Sequence, residues 1–156
     1  MARKTLVMLL VLLIAGCGRE AGPRLLSHPV PDQQVASSLA GVSLEVLDVR
    51  PAEGRHEIVY ELLNLSDEAL GYGSYAALEK KSAGGWHGVI YSDAVFYRDP
   101  GFRDSGKMLQ PGGVERMTLD TGDLGIALSP GAYRLVKTVL GTDGMELSMA
   151  AEFEIQ

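Results

Sequence analysis

The side chain with the most distinctive chemistry is Cys17, the single thiol of the chain. It directly follows Leu12, Leu13, Ile14, Ala15 and Gly16. A thiol behind a short apolar run and two small residues has the arrangement of a bacterial lipobox, in which the sulfur becomes a lipidated thioether and the chain is cut just before it. Arg3 and Lys4 supply a positive start, and Leu6 to Ile14 is an unbroken apolar core of signal-peptide length. A membrane-spanning helix needs about 20 apolar residues, so this run is too short to be one. Gly18, and not an aspartate, follows the cysteine. In an envelope with two membranes this favours the periplasmic side of the outer membrane. With one membrane, the same anchor holds the protein on the outer face of the cytoplasmic membrane.

The remaining candidate groups are weaker. His28, His56 and His87 lie far apart, without the close pairing that metal ligands on one element require. Asp120, Asp123 and Asp143 sit in oxygen-rich loops, yet neither loop has the ligand series that a calcium loop supplies. Aspartates in such loops usually bond their own backbone. A serine nucleophile would need an activating base and an elbow of the Gly-x-Ser-x-Gly kind, and none is present. We therefore expect no catalytic residues, no metal site and no cofactor. The segment with Phe96, Tyr97, Arg98, Phe102 and Arg103 is different, because aromatics interleaved with arginines are the raw material of binding hot spots. Tyr97, Arg98, Phe102 and Arg103 are the first candidates for partner contacts, and Trp86 is the second choice at a hairpin tip.

Composition narrows the partners. Loss of the first 16 residues with Arg3 and Lys4 leaves 12 basic against 20 acidic side chains, a charge of about −8. Nucleic-acid binding depends on lysine and arginine neutralising phosphates, so nucleic acid is not expected. With no second cysteine, no disulfide can staple the fold.

The elements that must carry these groups are strands. Residues 17–38 are rich in Gly, Pro, Gln and Ser, which predicts a flexible tether between anchor and domain. From there period-two alternation dominates. It is visible in Val42-Leu44-Val46, in Ile58-Tyr60-Leu62 and most cleanly from Leu147 to Ile155. Further strands are expected over 72–81, 86–91, 114–119 and 133–140, with at most a short turn near 121–128. About seven half-buried strands separated by turn residues predict an all-β, antiparallel β-sandwich over 39–156, with a closed barrel as the competitor.

Two motifs favour the sandwich. Leu128-Ser129-Pro130-Gly131-Ala132-Tyr133-Arg134-Leu135 looks like a tyrosine corner, with Tyr133 bonding upstream backbone and Leu135 pointing into the core. The second motif comprises Tyr72, Gly73, Leu78, Glu79, Lys80, Gly85 and Trp86, and it precedes a Leu128-Pro130-Gly131-Tyr133-Arg134-Val136-Lys137 element. Together they resemble a bacterial immunoglobulin-like domain family found in envelope lipoproteins. The resemblance covers about 38–156, and the stretch 89–107 departs from it. It implies an Ig-like sandwich and no established activity. The resulting expectation is an envelope lipoprotein that binds a protein partner or serves as a structural module. The alternative is a periplasmic binder of a small ligand or cation.

Overall fold

The computed structural model describes residues 22–91 and 106–156. Cys17, the expected lipidation site, and the candidate contacts Tyr97, Arg98, Phe102 and Arg103 lie outside the described residues. The described part is all-β. Its strands are β1 (Ser38–Leu39), β2 (Val42–Ala52), β3 (Arg55–Asn64), β4 (Leu70–Tyr72), β5 (Ala77–Ser82), β6 (Gly85–Gly88), β7 (Lys107–Leu109), β8 (Val114–Asp120), β9 (Gly131–Leu140) and β10 (Glu146–Ile155). They form two antiparallel sheets. One has the order β1-β2-β3-β8, and the other has the order β6-β5-β9-β4-β7 with β10 on the free side of β9. The arrangement is the expected sandwich and not a closed barrel.

Alternation explains which sheet faces meet. Val42, Leu44, Ile58, Tyr60 and Leu62 from the first sheet face Leu78, Tyr133, Leu135, Val139 and Met149 from the second. Each of these is almost completely buried. Burying one such side chain contributes roughly 1.5–3 kcal/mol, so this interface dominates stability. The outward partners Glu45, Glu152 and Glu154 remain exposed. The β2–β3 ladder slips at Leu47, where a bulge separates Val46 from Asp48.

The strand expected over 72–81 is interrupted. Gly71 pairs with Leu140, and Ala77 pairs with Val136, so β4 and β5 lie along the same side of β9. Between them the chain leaves the ladder. There Lys137, buried on the inner face of β9, donates its ammonium protons to the carbonyls of Gly73 and Tyr75. A side chain thus replaces the missing ladder bonds, which alternation alone cannot foresee.

The two ends of the sandwich are closed differently. At one end Asn64, fully buried, donates from Nδ2 to the carbonyls of Glu68 (2.8 Å) and Leu109 (3.1 Å), while its Oδ1 accepts from Ser66. At the other, Thr121 accepts from the His56 amide at 2.8 Å, and the chain crosses between sheets through 121–130.

Candidate functional site

Tyr133 lies at the crossing into β9, and its hydroxyl donates to the Ser129 carbonyl at 2.8 Å. That bond has the geometry of a tyrosine corner. The ring stacks on Phe153 with centroids 5.8 Å apart. From the open side Lys80 reaches over it, 5.0 Å from the ring centroid, and bonds Ser129 Oγ at 2.6 Å. Leu135, two residues on, is fully buried.

Between Tyr133 and Leu135, Arg134 points to the opposite face of the sheet, the face expected to meet solvent. It is nevertheless only 1% exposed. Its Nε donates to Glu79 Oε2 at 2.5 Å across the β5–β9 pair. The two terminal nitrogens donate to the carbonyls of Gln33 (3.2 Å) and Asp32 (2.6 Å). The Trp86 ring lies 4.9 Å from the guanidinium carbon, and Lys81 approaches the same ring at 5.5 Å. A buried guanidinium with a carboxylate, two carbonyls and an indole has its charge and most of its donors matched.

The carbonyls come from the segment expected to be a tether. Over 22–37 the chain is instead laid on the sandwich as a strap. Ile90 donates to Arg24 O, Leu26 to Gly88 O and Val30 to Trp86 O, each at 2.8 Å. The strap thereby covers the free edge of β6, with a bridge between Leu25 and Val89. Gln33 then clamps the Trp86 backbone, accepting its amide proton at 2.7 Å and donating to its carbonyl at 3.1 Å. Farther on, Ala36 O accepts from the Ala150 amide at the far edge, so the strap crosses the outer face from β6 to β10. Pro29 and Pro31, read as signs of a linker, suit an edge segment because each lacks an amide proton. The sequence expectation fails here because composition reports local preference, while docking depends on partners some hundred residues away.

Trp86 is therefore not the exposed hairpin-tip contact that its position suggests. It is 5% exposed beneath the strap. Gly85, beside it, has φ +128°, and a Cβ there would lie 2.2 Å from Gln33 Oε1. A glycine is required both by that conformation and by the close approach of the strap.

The residues that sequence reasoning passed over as sites are Arg134, Glu79 and Gln33. A signal for the first two was present, since both fall within the two quoted motifs. The structure shows why those motifs occur together: Glu79 meets Arg134, Trp86 meets Arg134, Lys80 meets Tyr133, and Lys137 meets Gly73. They are two halves of one clasp. Gln33 has no such signal.

The groups considered for metal or ligand binding are not brought together. His87 is buried, with Nδ1 3.0 Å from Leu26 O, so that nitrogen carries the proton. His56 lies at the opposite sheet, and His28 bonds Ser27. Asp120 is occupied by Arg55 and by the Gly122 amide (2.8 Å), and Asp143 by the Met145 amide (2.9 Å). These carboxylates serve their own turns. Among the described residues no group of three or more metal-ligating side chains forms. Two shallow clefts flank the 122–128 loop. One, of about 320 Å³, is lined by Pro23, Arg24, Tyr91 and Ile126; the other, of about 400 Å³, by Pro51, Arg55, His56 and Leu128.

Of the large apolar side chains left exposed among the described residues, Leu26 lies on the strap, Leu47 at the β2 bulge and Tyr75 between β4 and β5, while the other six gather at one end. Leu39, Leu65, Met108, Val114, Leu140 and Met145 all lie at the Asn64 end, remote from the tyrosine corner. Gly71, between Met108 and Leu140, leaves that surface low in the middle.

Among solved structures, the chain is similar to the putative ApaA protein from Bordetella pertussis, with 14% identity, a TM-score of 0.40, and coverage of 73% of this chain and 88% of that one. It is also similar to the archaellum periplasmic stator protein FlaG from Sulfolobus acidocaldarius, with 14% identity, TM-score 0.34 and coverage of 73% and 99%. A third is the alkylpurine DNA glycosylase AlkC from Pseudomonas fluorescens, with 22% identity and TM-score 0.37, matched over 75% of this chain and 31% of that one. No curated protein matches. The bacterial Ig-like domain family matches residues 38–154, the span of the sandwich from β1 to β10. This chain belongs to the bacterial Ig-like domain family.

Proposed function

We propose that the protein is an envelope lipoprotein, anchored through a lipidated Cys17, whose Ig-like domain works by contact with another envelope protein and not by catalysis. Membership of the bacterial Ig-like family supports the coarse part of this reading, a structural or binding module. The observation that carries the finer part is the gathering of Leu39, Leu65, Met108, Val114, Leu140 and Met145 at one end. Singly exposed apolar residues need no explanation, but a concentration of them at one end of a small, acidic domain suits a protein partner. The segment that contains Tyr97, Arg98, Phe102 and Arg103 rejoins the described chain at Gly106, beside Met108. Those side chains remain the proposed aromatic and cationic contacts. Lipid on Cys17 would keep the protein outside the cytoplasm, on the outer membrane or on the outer face of a single membrane. Anchoring by the two or three chains of a bacterial lipoprotein is stable where a single chain is not.

Crosslinking in intact cells tests the partner reading. Leu65→Glu combined with Leu140→Glu, or Arg98→Ala combined with Phe102→Ala, should remove specific crosslinked proteins while the melting temperature stays near that of the parent. An unchanged set of crosslinks in both variants would refute it. Mass spectrometry of the mature amino terminus tests the anchor: a diacyl thioether on Cys17 is expected, and an intact leader with a free thiol would contradict it.

A further inference from the structure

The strap changes the reach of the anchor. If residues 17–38 were all tether, the 21 residue steps between Cys17 and β1 would span up to about 75 Å. The domain could then stand clear of the bilayer and turn freely. The chain is instead fixed to the sandwich from its first described residues. Gly22 packs so closely on Ser129 that a Cβ on it would come within 2.3 Å of Ser129 Oγ, and Arg24 is bonded to Ile90 at 2.8 Å. Only five residue steps separate Cys17 from Gly22, a span of at most about 18 Å.

Gly22 also marks which end is tied. Ser129 belongs to the tyrosine-corner end, where β9 begins at Gly131. The opposite end, with the 141–144 turn and the exposed apolar side chains, lies beyond the full ten residues of β9, about 30 Å away at the usual rise of a strand. The leash is thus shorter than the domain is long. Lying flat would bring one sheet face onto the lipid. The attachment at Gly22 and Ser129 keeps the 122–130 end nearest the anchor in either posture, and standing end-on leaves the charged mid-face side chains Glu45, Glu61 and Arg116 in water.

Resting on the lipid-anchor reading, we infer that the domain stands end-on at the membrane. Its 122–130 end faces the lipid surface, and its Asn64 end is directed away from it. The strap is therefore an orienting device, and the clasp of Gln33, Trp86, Glu79 and Arg134 keeps the leash short. The surface proposed for a partner is held at a fixed height above the bilayer.

The full lipidated protein in vesicles of phosphatidylcholine and phosphatidylglycerol allows a direct test. Once Cys17 is acylated, a cysteine introduced by Ala127→Cys or Glu146→Cys is the only free thiol, and it can carry a fluorophore. Both positions are exposed. A nitroxide on the lipid headgroup should quench the label strongly at 127 and close to background at 146. Insertion of about 20 Gly and Ser residues after Ala21 leaves the domain intact and lengthens the leash, so quenching at 127 should be largely lost. Equal quenching at the two positions would overturn the inference, as would quenching at 127 that survives the insertion. Absence of lipid on Cys17 would overturn the anchor reading and this inference with it, whereas lipid with equal quenching overturns the orientation alone.

Discussion

On its inner face β9 carries Tyr133, Leu135 and Val139 into an apolar core, while on its outer face the neighbouring Arg134 is buried just as deeply by charge, carbonyls and an indole. The inner face is covered by the opposite sheet, whose strands alternate in the same period. The outer face is covered by a proline-containing strap with no periodicity. Depth of burial is the same on both sides, but the forces differ. Apolar burial is non-directional and tolerates rearrangement. A buried guanidinium is stable only while each partner stays in place, so the outer side is the more brittle one.

The largest expected effect comes from breaking the outer side. Glu79→Leu leaves the Arg134 guanidinium buried without its carboxylate, at a cost of about 3–5 kcal/mol in urea unfolding. It should also loosen the strap, seen as a red shift of Trp86 fluorescence, the one tryptophan of the chain. A change below about 1 kcal/mol with unshifted emission would show that the clasp matters little. On the inner side, Leu135→Ala should cost about 2–5 kcal/mol through lost burial and a cavity. Trp86 emission of the folded protein should stay unchanged, which separates the two faces.

Alkaline pH should attack the inner side selectively. Burial raises the phenol of Tyr60 from 10.0 to about 12 and pushes that of Tyr91 up as well. The folded state therefore holds these protons more tightly than the unfolded chain does. The Tyr60 contribution is intact below pH 10 and is lost as pH rises from about 10 through 12, by about 3 kcal/mol, and that of Tyr91 is lost at still higher pH. A melting temperature flat from pH 9 to 12 would contradict this. The smallest effect expected is that of Tyr133→Phe, which removes the bond to Ser129 but keeps the stacked ring, for about 1 kcal/mol by thermal unfolding.

The same contrast explains what could be read from the chain. The alternation of Ile58-Tyr60-Leu62 and of Leu147 to Ile155 is local, and it placed those strands and their buried face correctly. Tyr133 and its Ser129 partner are four residues apart, so the corner was legible too. Lys137 breaking the β4–β5 strand was not, because its partners lie more than sixty residues away. Nor was the strap. Gly, Pro and Gln signal a linker wherever local preference is the only guide, and Gln33 acquires its role only when Trp86 arrives beside it. The burial of Trp86 is not legible for the same reason: its cover is contributed by the strap and not by its own hairpin.

The central claim is that residues 22–37 are part of the folded domain. Amide hydrogen exchange measures this directly through the protons of Leu26, Val30 and Trp86, which bond across the junction between strap and β6. Protection approaching that of Leu135 in β9 is the predicted result. Exchange of Leu26 and Val30 at the rate of an unfolded peptide, with β9 still protected, would contradict it.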